Sequence, residues 1–367
     1  MGGASVLLVV AAILVVFLPL SRTYDLNVFL RAGYAVLHGL RVYPEPNSAA
    51  VYSGSSFVYP YFAVLPFVAL AAFKSQAAVM VFFFVSACAV VAACVACRRS
   101  DPWLAVLVLC ASFTITGLQL GALSPLLFAG AAFLWQLRDR PTRFALLAAL
   151  LVTSKLFLAP LLVWPLLAGR WRAFACAAAL TAAFLGGSLV LGPLSAGPYL
   201  HLLSQLGAHE ARAGFGLIGA LMNAGLTPAA AEASAATLGV SILGAAYVVW
   251  RRAGDERVLF CAGITASLLA TPVLWSHYLV LLAAALVATG APRRWFVALA
   301  VVSWAIAPPH GVDPNTHGPG AAFSPGGWIA VSLSLAVFCY VAAPGWRGRY
   351  TSESVATGNQ AFGGNRR

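Results

Sequence analysis

Charged residues are scarce in this chain of 367 residues: they make up 9% of it, whereas apolar residues make up 61%. Soluble domains carry about 25% charged residues, so the composition excludes a water-soluble domain of useful size. In a soluble protein the net charge of +12 would suggest nucleic acid. Here we expect no nucleic-acid partner, because positive charge in a membrane protein marks one side of the membrane.

Cysteines and known catalytic motifs are sparse too. All seven cysteines lie within apolar runs and lack metal-ligand neighbours, so we expect free, buried thiols without disulfides. The chain has no Walker loop, dinucleotide-binding glycine pattern, zinc spacing or Ser-His-Asp arrangement. His310, Asp313 and His317 resemble a metal cluster only loosely, and their Pro/Gly-rich surroundings favour a solvated loop. We therefore expect no metal and no cofactor.

Apolar runs recur along the chain with lengths of about 15–22 residues, close to the ~20 that span a bilayer as a helix. They predict an all-α, polytopic membrane protein with about 12 transmembrane helices. The first run is interpreted as a retained anchor rather than a cleaved signal. Residues 1–343 are the predicted membrane-embedded domain, and 344–367 a disordered cytoplasmic tail. The predicted spans are 4–20, 77–97, 102–118, 121–137, 144–154, 156–169, 173–191, 235–250, 258–270, 275–290, 295–307 and 327–343.

The basic residues orient these spans. With both termini in the cytoplasm, sixteen of the 22 Lys and Arg residues fall inside, which is a strong positive-inside bias. The pattern requires that the run 57–73 lies along the outer leaflet and that the run 144–169 breaks near Lys155. We therefore expect a multi-pass plasma-membrane protein. The six outer cations are Arg22, Arg31, Arg41, Lys74, Lys155 and Arg212.

The predicted outer face carries the long loops 21–76, about 192–234 and 308–326. Asp25 begins the first loop, where a helix leaves the bilayer; a carboxylate there is costly unless water or a partner receives it. Apolar residues then recur at helical spacing up to Gly39, which predicts an amphipathic interfacial helix. Asp25 is either a catalytic base or merely the N-cap of this helix.

Other residues of this face are candidates for substrate contacts. Lys155 is a buried ammonium that needs an anion such as a lipid phosphate, unless it snorkels to the surface. His277, at the outer entry of a span, either is structural or orients a phosphate or sugar. Arg31 and Arg41 either clamp phosphate or meet anionic headgroups. The candidate aromatic contacts at headgroup depth are Tyr24, Tyr43, Tyr59 and Trp275.

Several of these residues form a recognisable pattern. Tyr24-Asp25…Arg31-Ala-Gly…Gly39-Leu-Arg-Val-Tyr43, followed by Phe57-Val-Tyr-Pro60 and Pro66, resembles the opening of glycosyltransferase family 87. Further matches extend the resemblance over about residues 20–290: Lys155 with Pro160 and Pro165, Gly169-Arg-Trp-Arg172, and Pro272…Trp275-Ser-His277. Two positions depart from the family. Its usual Gly-Gln-x-Asn reads Gly121-Ala-Leu-Ser124, and the second His that often follows His277 is Tyr278.

The resemblance implies a C-type membrane glycosyltransferase, similar to actinobacterial α-1,2-mannosyltransferases. Such an enzyme transfers a hexose, here mannose, with inversion from a polyprenyl-phosphate donor to a glycolipid or glycan acceptor at the extracytoplasmic face. Asp25 and His277 would be the catalytic residues, with Asp25 as the general base. Lys155, Arg31 and Arg41 would hold the donor phosphate. The implied reaction requires no metal.

Three other functions stay open at this point. The first is transfer of arabinofuranose from its polyprenyl phosphate, because no residue distinguishes the sugar. The second is a lipid transporter or flippase, although the sequence has no internal repeat and most charges lie at span ends. The third is an inactive lipid-binding protein, because Ala122 and Ser124 depart from the family pattern.

Overall fold

The computed structural model describes residues 23–52, 56–98, 101, 103–307 and 326–343. These residues form helices and connecting segments, and no strand is found among them. The α-helices, numbered along the chain, are α1 Tyr24–Leu37, α2 Leu65–Ala71, α3 Ser75–Cys97, α4 Trp103–Cys110, α5 Ser112–Leu120, α6 Ser124–Leu137, α7 Pro141–Ser154, α8 Val163–Leu167, α9 Trp171–Leu191, α10 Ala196–Glu210, α11 Leu217–Asn223, α12 Pro228–Ala253, α13 Arg257–Leu269, α14 Leu281–Thr289, α15 Arg293–Ile306 and α16 Gly326–Ala342. The 3₁₀ helices are Ala49–Tyr52, Tyr61–Val64, Leu156–Leu162, Ala211–Ala213 and Ser276–Val280.

Three of the described helices are long and apolar enough to cross a membrane: α3, α9 and α12, with 23, 21 and 26 residues. A fourth crossing results if α4 and α5, bent by 66°, are one span. The predicted count of about 12 spans is therefore not confirmed, because most of the predicted spans are shorter apolar helices. The predicted span 4–20, the tail 344–367 and the loop with His310, Asp313 and His317 lie outside the described residues.

The predicted amphipathic helix forms as α1, and its place at the membrane interface stays a prediction. It ends at Leu37, and Gly39 follows with φ 65°, a left-handed conformation that favours glycine. Its buried face packs on α2, where the ring of Phe29 stacks on that of Phe67 with 4.4 Å between centroids. At Gly33 a Cβ would lie 2.6 Å from the Phe67 carbonyl oxygen, so the close approach of the two helices requires glycine.

The run 57–73 does not form a spanning helix. It contains the 3₁₀ helix Tyr61–Val64 and the seven-residue α2, which are together too short to cross a bilayer. The predicted break near Lys155 is also confirmed: α7 ends at Ser154, and Lys155 has φ −148° and ψ 101°. After this extended residue the chain turns back as the 3₁₀ helix Leu156–Leu162 and α8.

The bend between α4 and α5 is stabilised by α15. The backbone N–H of Ser112 donates to the hydroxyl of Ser303 (2.9 Å), and the indole N–H of Trp304 donates to the carbonyl of Cys110 (2.8 Å). These bonds satisfy backbone groups that a break in a helix would leave unpaired. The bend directs α5 toward the start of α1 and toward the 3₁₀ helix Ser276–Val280.

All seven cysteines have free thiols. Cys94 and Cys261 are buried, whereas Cys88, Cys176 and Cys339 are exposed. The prediction that every thiol is buried is therefore wrong for these three within the part of the chain that the structure describes, because they lie on helix faces that the described elements leave uncovered.

Candidate active site

Asp25 and His277 lie close together although 252 positions separate them in the chain. Asp25 is the second residue of α1, and its Oδ2 lies 3.9 Å from Nε2 of His277. The His277 side chain is only 2% exposed, and its Nε2 has no hydrogen-bond partner among the described residues. A buried polar atom without a partner is costly. The pair is therefore suited to receive a polar group from a substrate.

Asp25 is not the N-cap of α1. Thr23 occupies that position with φ 47°, and its side chain makes no capping hydrogen bond. The alternative in which Asp25 only caps the helix is therefore wrong. The Asp25 side chain is 29% exposed, so its carboxylate is neither sealed in the protein nor fully in solvent.

Lys155 is held by two tyrosines. Its Nζ lies 2.9 Å from the hydroxyl oxygen of Tyr59 and 4.2 Å from the centroid of that ring. The ring centroid of Tyr278 is 4.8 Å away. In the described part of the chain, no carboxylate lies within ion-pair distance of this nitrogen. Aromatic faces and one hydroxyl stabilise the ammonium, and its charge stays available for an anion.

Tyr278 joins the two halves of the site. It follows His277 in the chain, and the two ring centroids are 4.3 Å apart. On its other side Tyr278 faces Lys155 and makes an edge contact with Phe157 at 5.3 Å. Asp25, His277, Tyr278, Lys155 and Tyr59 thus form one cluster, which we call the carboxylate–lysine cluster.

The turn between α5 and α6 positions the start of α1. The backbone N–H of Thr23 donates to the carbonyl of Gln119 at 3.0 Å. Gly121 has φ 66°, and a Cβ there would lie 2.5 Å from Cβ of Leu26. Ala122 and Ser124 are fully buried. These departures from the family pattern therefore lie in a packed turn that supports Asp25 through its backbone.

Tyr43 fixes the segment that carries Tyr59. It is 8% exposed, and its hydroxyl donates to the carbonyl of Tyr59 at 2.8 Å. The Tyr59 ring stacks on Phe29 of α1 at 4.7 Å. The two predicted substrate contacts therefore differ in what they bind. Tyr43 donates a hydrogen bond to the backbone of Tyr59, whereas the Tyr59 side chain contacts Lys155.

Burial raises the pKa of the Asp25 carboxyl, and the positive charge of Lys155 counteracts part of that rise. The net direction is upward. The carboxylate is therefore more basic than that of an aspartate in water, as a general base requires.

The structure does not bring Arg31 and Arg41 into the cluster. Arg31 follows Asp25 by six residues, which turns the helix by about 240°, and its exposed side chain donates to the carbonyl of Asn27 at 3.2 Å. Arg41 is exposed and forms an ion pair with Glu45. Their roles in phosphate binding stay predictions.

Tyr24 and Trp275 are both partly buried and lie beside the cluster in sequence. Tyr24 precedes Asp25, and Trp275 precedes the 3₁₀ helix that carries His277. Sequence reasoning treated Tyr278 only as a departure from the family, and it missed Phe157 and Gln119. The adjacency of Tyr278 to His277 was the one signal available for it.

No group of three or more His, Cys, Asp or Glu side chains that could hold a metal ion occurs among the residues that the structure describes.

The sequence matches the profile of glycosyltransferase family 87 over residues 57–276, which is more than half of the chain. The chain belongs to glycosyltransferase family 87. The matched region contains Tyr59 and Lys155 and ends one residue before His277, whereas Asp25 precedes it. No curated protein and no solved structure matches the chain. As a family 87 member with apolar spanning helices, the protein is a membrane glycosyltransferase.

Proposed function

We propose that the protein transfers mannose from a polyprenyl-phosphate donor to a lipid-linked glycan acceptor at the extracytoplasmic face of the plasma membrane. The observation that carries this proposal is the convergence of a basic carboxylate, a buried histidine and an unneutralised lysine in one cluster. Membership of glycosyltransferase family 87 supports glycosyl transfer as the reaction. The lysine supplies the preference for a phosphate-bearing donor.

The proposed reaction is a single displacement with inversion. The carboxylate of Asp25 takes the proton from an acceptor hydroxyl as that oxygen forms a bond to the anomeric carbon. The bond from this carbon to the phosphate oxygen breaks at the same time. The polyprenyl phosphate leaves with the electron pair, so it needs a cation rather than an acid.

Lys155 is the proposed cation for the leaving phosphate. A phosphate oxygen is a stronger acceptor for an ammonium than the Tyr59 hydroxyl that now occupies this position. The donor would therefore exchange with Tyr59 as the partner of Nζ. His277, with its unpartnered Nε2 facing Asp25 at 3.9 Å, would hold a substrate hydroxyl or phosphate oxygen between them.

The experiment that tests this function compares two radiolabelled donors, polyprenyl-phosphate mannose and polyprenyl-phosphate arabinofuranose, in membranes that contain the protein. Labelled product from mannose alone supports the proposal. Labelled product from the arabinofuranose donor alone would support the proposed reaction and contradict mannose as the transferred sugar. Absence of product from either donor, with acceptor lipids from the native membrane present, would contradict the proposed function.

A further inference from the structure

A partly buried ion cluster lies at the starts of α7 and α13, away from the carboxylate–lysine cluster. The guanidinium of Arg170 binds both carboxylate oxygens of Glu256, through Nε and Nη2, each at 2.9 Å. Its Nη1 donates to the Asp139 carboxylate at 2.7 Å and to the carbonyl of Arg138 at 3.0 Å. The indole N–H of the buried Trp164 donates to Glu256 at 2.9 Å. We call these residues the basal clamp.

The basal clamp closes a hairpin whose tip is Lys155. Asp139 lies just before α7, and Arg170 lies just before α9. Between them the chain runs along α7, turns at Lys155, and returns through the 3₁₀ helix Leu156–Leu162 and α8. The 14 residues of α7 place the tip about 21 Å from the clamp.

The same clamp fixes the base of α13, which leads to His277. Glu256 is the N-cap of α13, and the 13 residues of that helix cover about 20 Å. Midway, α13 packs on the returning arm of the hairpin, where a Cβ at Gly263 would lie 3.1 Å from Leu161. Beyond the end of α13, the contact of Phe157 with Tyr278 joins the hairpin to the 3₁₀ helix that carries His277.

We infer that Arg170 and Glu256 are positioning residues. They fix the position of Lys155 along the axis of α13, and so its distance from His277 in the carboxylate–lysine cluster. This bidentate ion pair joins the base of the hairpin to the start of α13, and the hairpin tip with Lys155 and the segment that follows α13 with His277 lie at the opposite end. A slide of the hairpin against α13 would displace Lys155 relative to His277, and a displacement of about 1 Å can lower a rate by about 10²-fold. This inference rests on the proposed function for its effect on catalysis, but its structural part does not.

The two arms of the clamp differ in strength. The Glu256 side chain is 17% exposed and pairs in a fork, whereas that of Asp139 is 65% exposed. Exposed ion pairs contribute little, but a partly buried bidentate pair with a further indole donor is costly to break. Glu256→Gln and Arg170→Gln are therefore expected to act strongly, and Asp139→Asn weakly.

The functional test is a double-mutant cycle. If Arg170 acts by positioning Lys155, Arg170→Gln should raise the donor KM about tenfold with Lys155 present and less than about twofold in the Lys155→Ala background. Mutations this far apart that act independently would instead raise the KM by the same factor in both backgrounds. Arg172→Gln, an exposed cation two positions away, is the matched control and should leave the donor KM unchanged. Arg170→Lys, which keeps the charge but loses the fork, should fall between. An equal effect in both backgrounds overturns the inference.

Hydrogen exchange of the same variants tests the geometry without any sugar transfer. In Arg170→Gln the amides of residues 155–162 at the tip should exchange faster than in the wild-type protein. Faster exchange confined to residues near 139, 170 and 256 would show a local role and overturn the inference. If neither donor gives product, the proposed function fails while the exchange measurement still decides the positioning role.

Discussion

Replacing Asp25 by Asn separates catalysis from stability. Asparagine keeps the shape of the side chain but cannot accept a proton from the acceptor hydroxyl. General-base catalysis contributes about 10²–10⁴-fold, which corresponds to about 2.7–5.4 kcal/mol of transition-state stabilisation. We expect kcat to fall by that factor, with little change in the donor KM, because the phosphate contact is assigned to Lys155.

Whereas Asp25→Asn should lower kcat, it should not lower the stability of the protein. Because burial raises the pKa of Asp25, the folded protein keeps a proton on this carboxyl in a pH range where the unfolded chain has lost it. The contribution of Asp25 to stability therefore falls as pH rises from the unfolded pKa through the folded pKa. At a pH above the raised pKa of Asp25, Asp25→Asn removes an unfavourable charge, and its Tm there should equal or exceed that of the wild-type protein.

The assays are single-turnover transfer from the labelled donor and thermal unfolding in detergent, both at several pH values. The wild-type rate should fall as the pH drops through the raised pKa of Asp25, since the protonated carboxyl is no base. Glu232→Gln changes an exposed carboxylate in the same way and serves as the control. Turnover by Asp25→Asn at the wild-type rate would refute the catalytic role, and a large drop in its Tm would refute the argument from burial.

Three further substitutions test other parts of the site. Lys155→Ala should raise the donor KM by about 10–100-fold, the worth of a hydrogen bond to a charged group; an unchanged KM would make Lys155 structural. Tyr59→Phe keeps the ring and loses the hydroxyl, so donor affinity, measured by competition with polyprenyl phosphate, should be unchanged or slightly higher. A tenfold loss would mean that the hydroxyl itself binds the donor. Gly121→Ala should destabilise the protein by roughly 1–3 kcal/mol, because of its φ of 66° and its contact with Leu26. Gly244→Ala, where a Cβ meets nothing within 4 Å, is its control, and equal Tm values for the two variants would contradict the packing argument.

The sequence by itself was sufficient for the helical membrane class, the amphipathic helix α1 and the break at Lys155. Each is encoded locally: apolar periodicity marks α1, glycine marks its end, and a lysine inside an apolar run marks a place where a continuous helix is costly. The residues Asp25, Lys155 and His277 were found in the same way, because a charged or ionisable group in an apolar setting is conspicuous.

Only the tertiary structure decided which of these residues meet. Asp25 and His277 are 252 positions apart, and their approach depends on how α5 packs against both α1 and the 3₁₀ helix Ser276–Val280. The sequence grouped Arg31 with Lys155, whereas in the structure its side chain donates to the carbonyl of Asn27 and lies outside the carboxylate–lysine cluster. The number of spans was not confirmed for the same reason. Helices too short to span a bilayer are held by contacts between residues far apart in the chain, such as the ion pair of Arg170 with Glu256. The hydrophobic pattern along the chain does not specify such contacts.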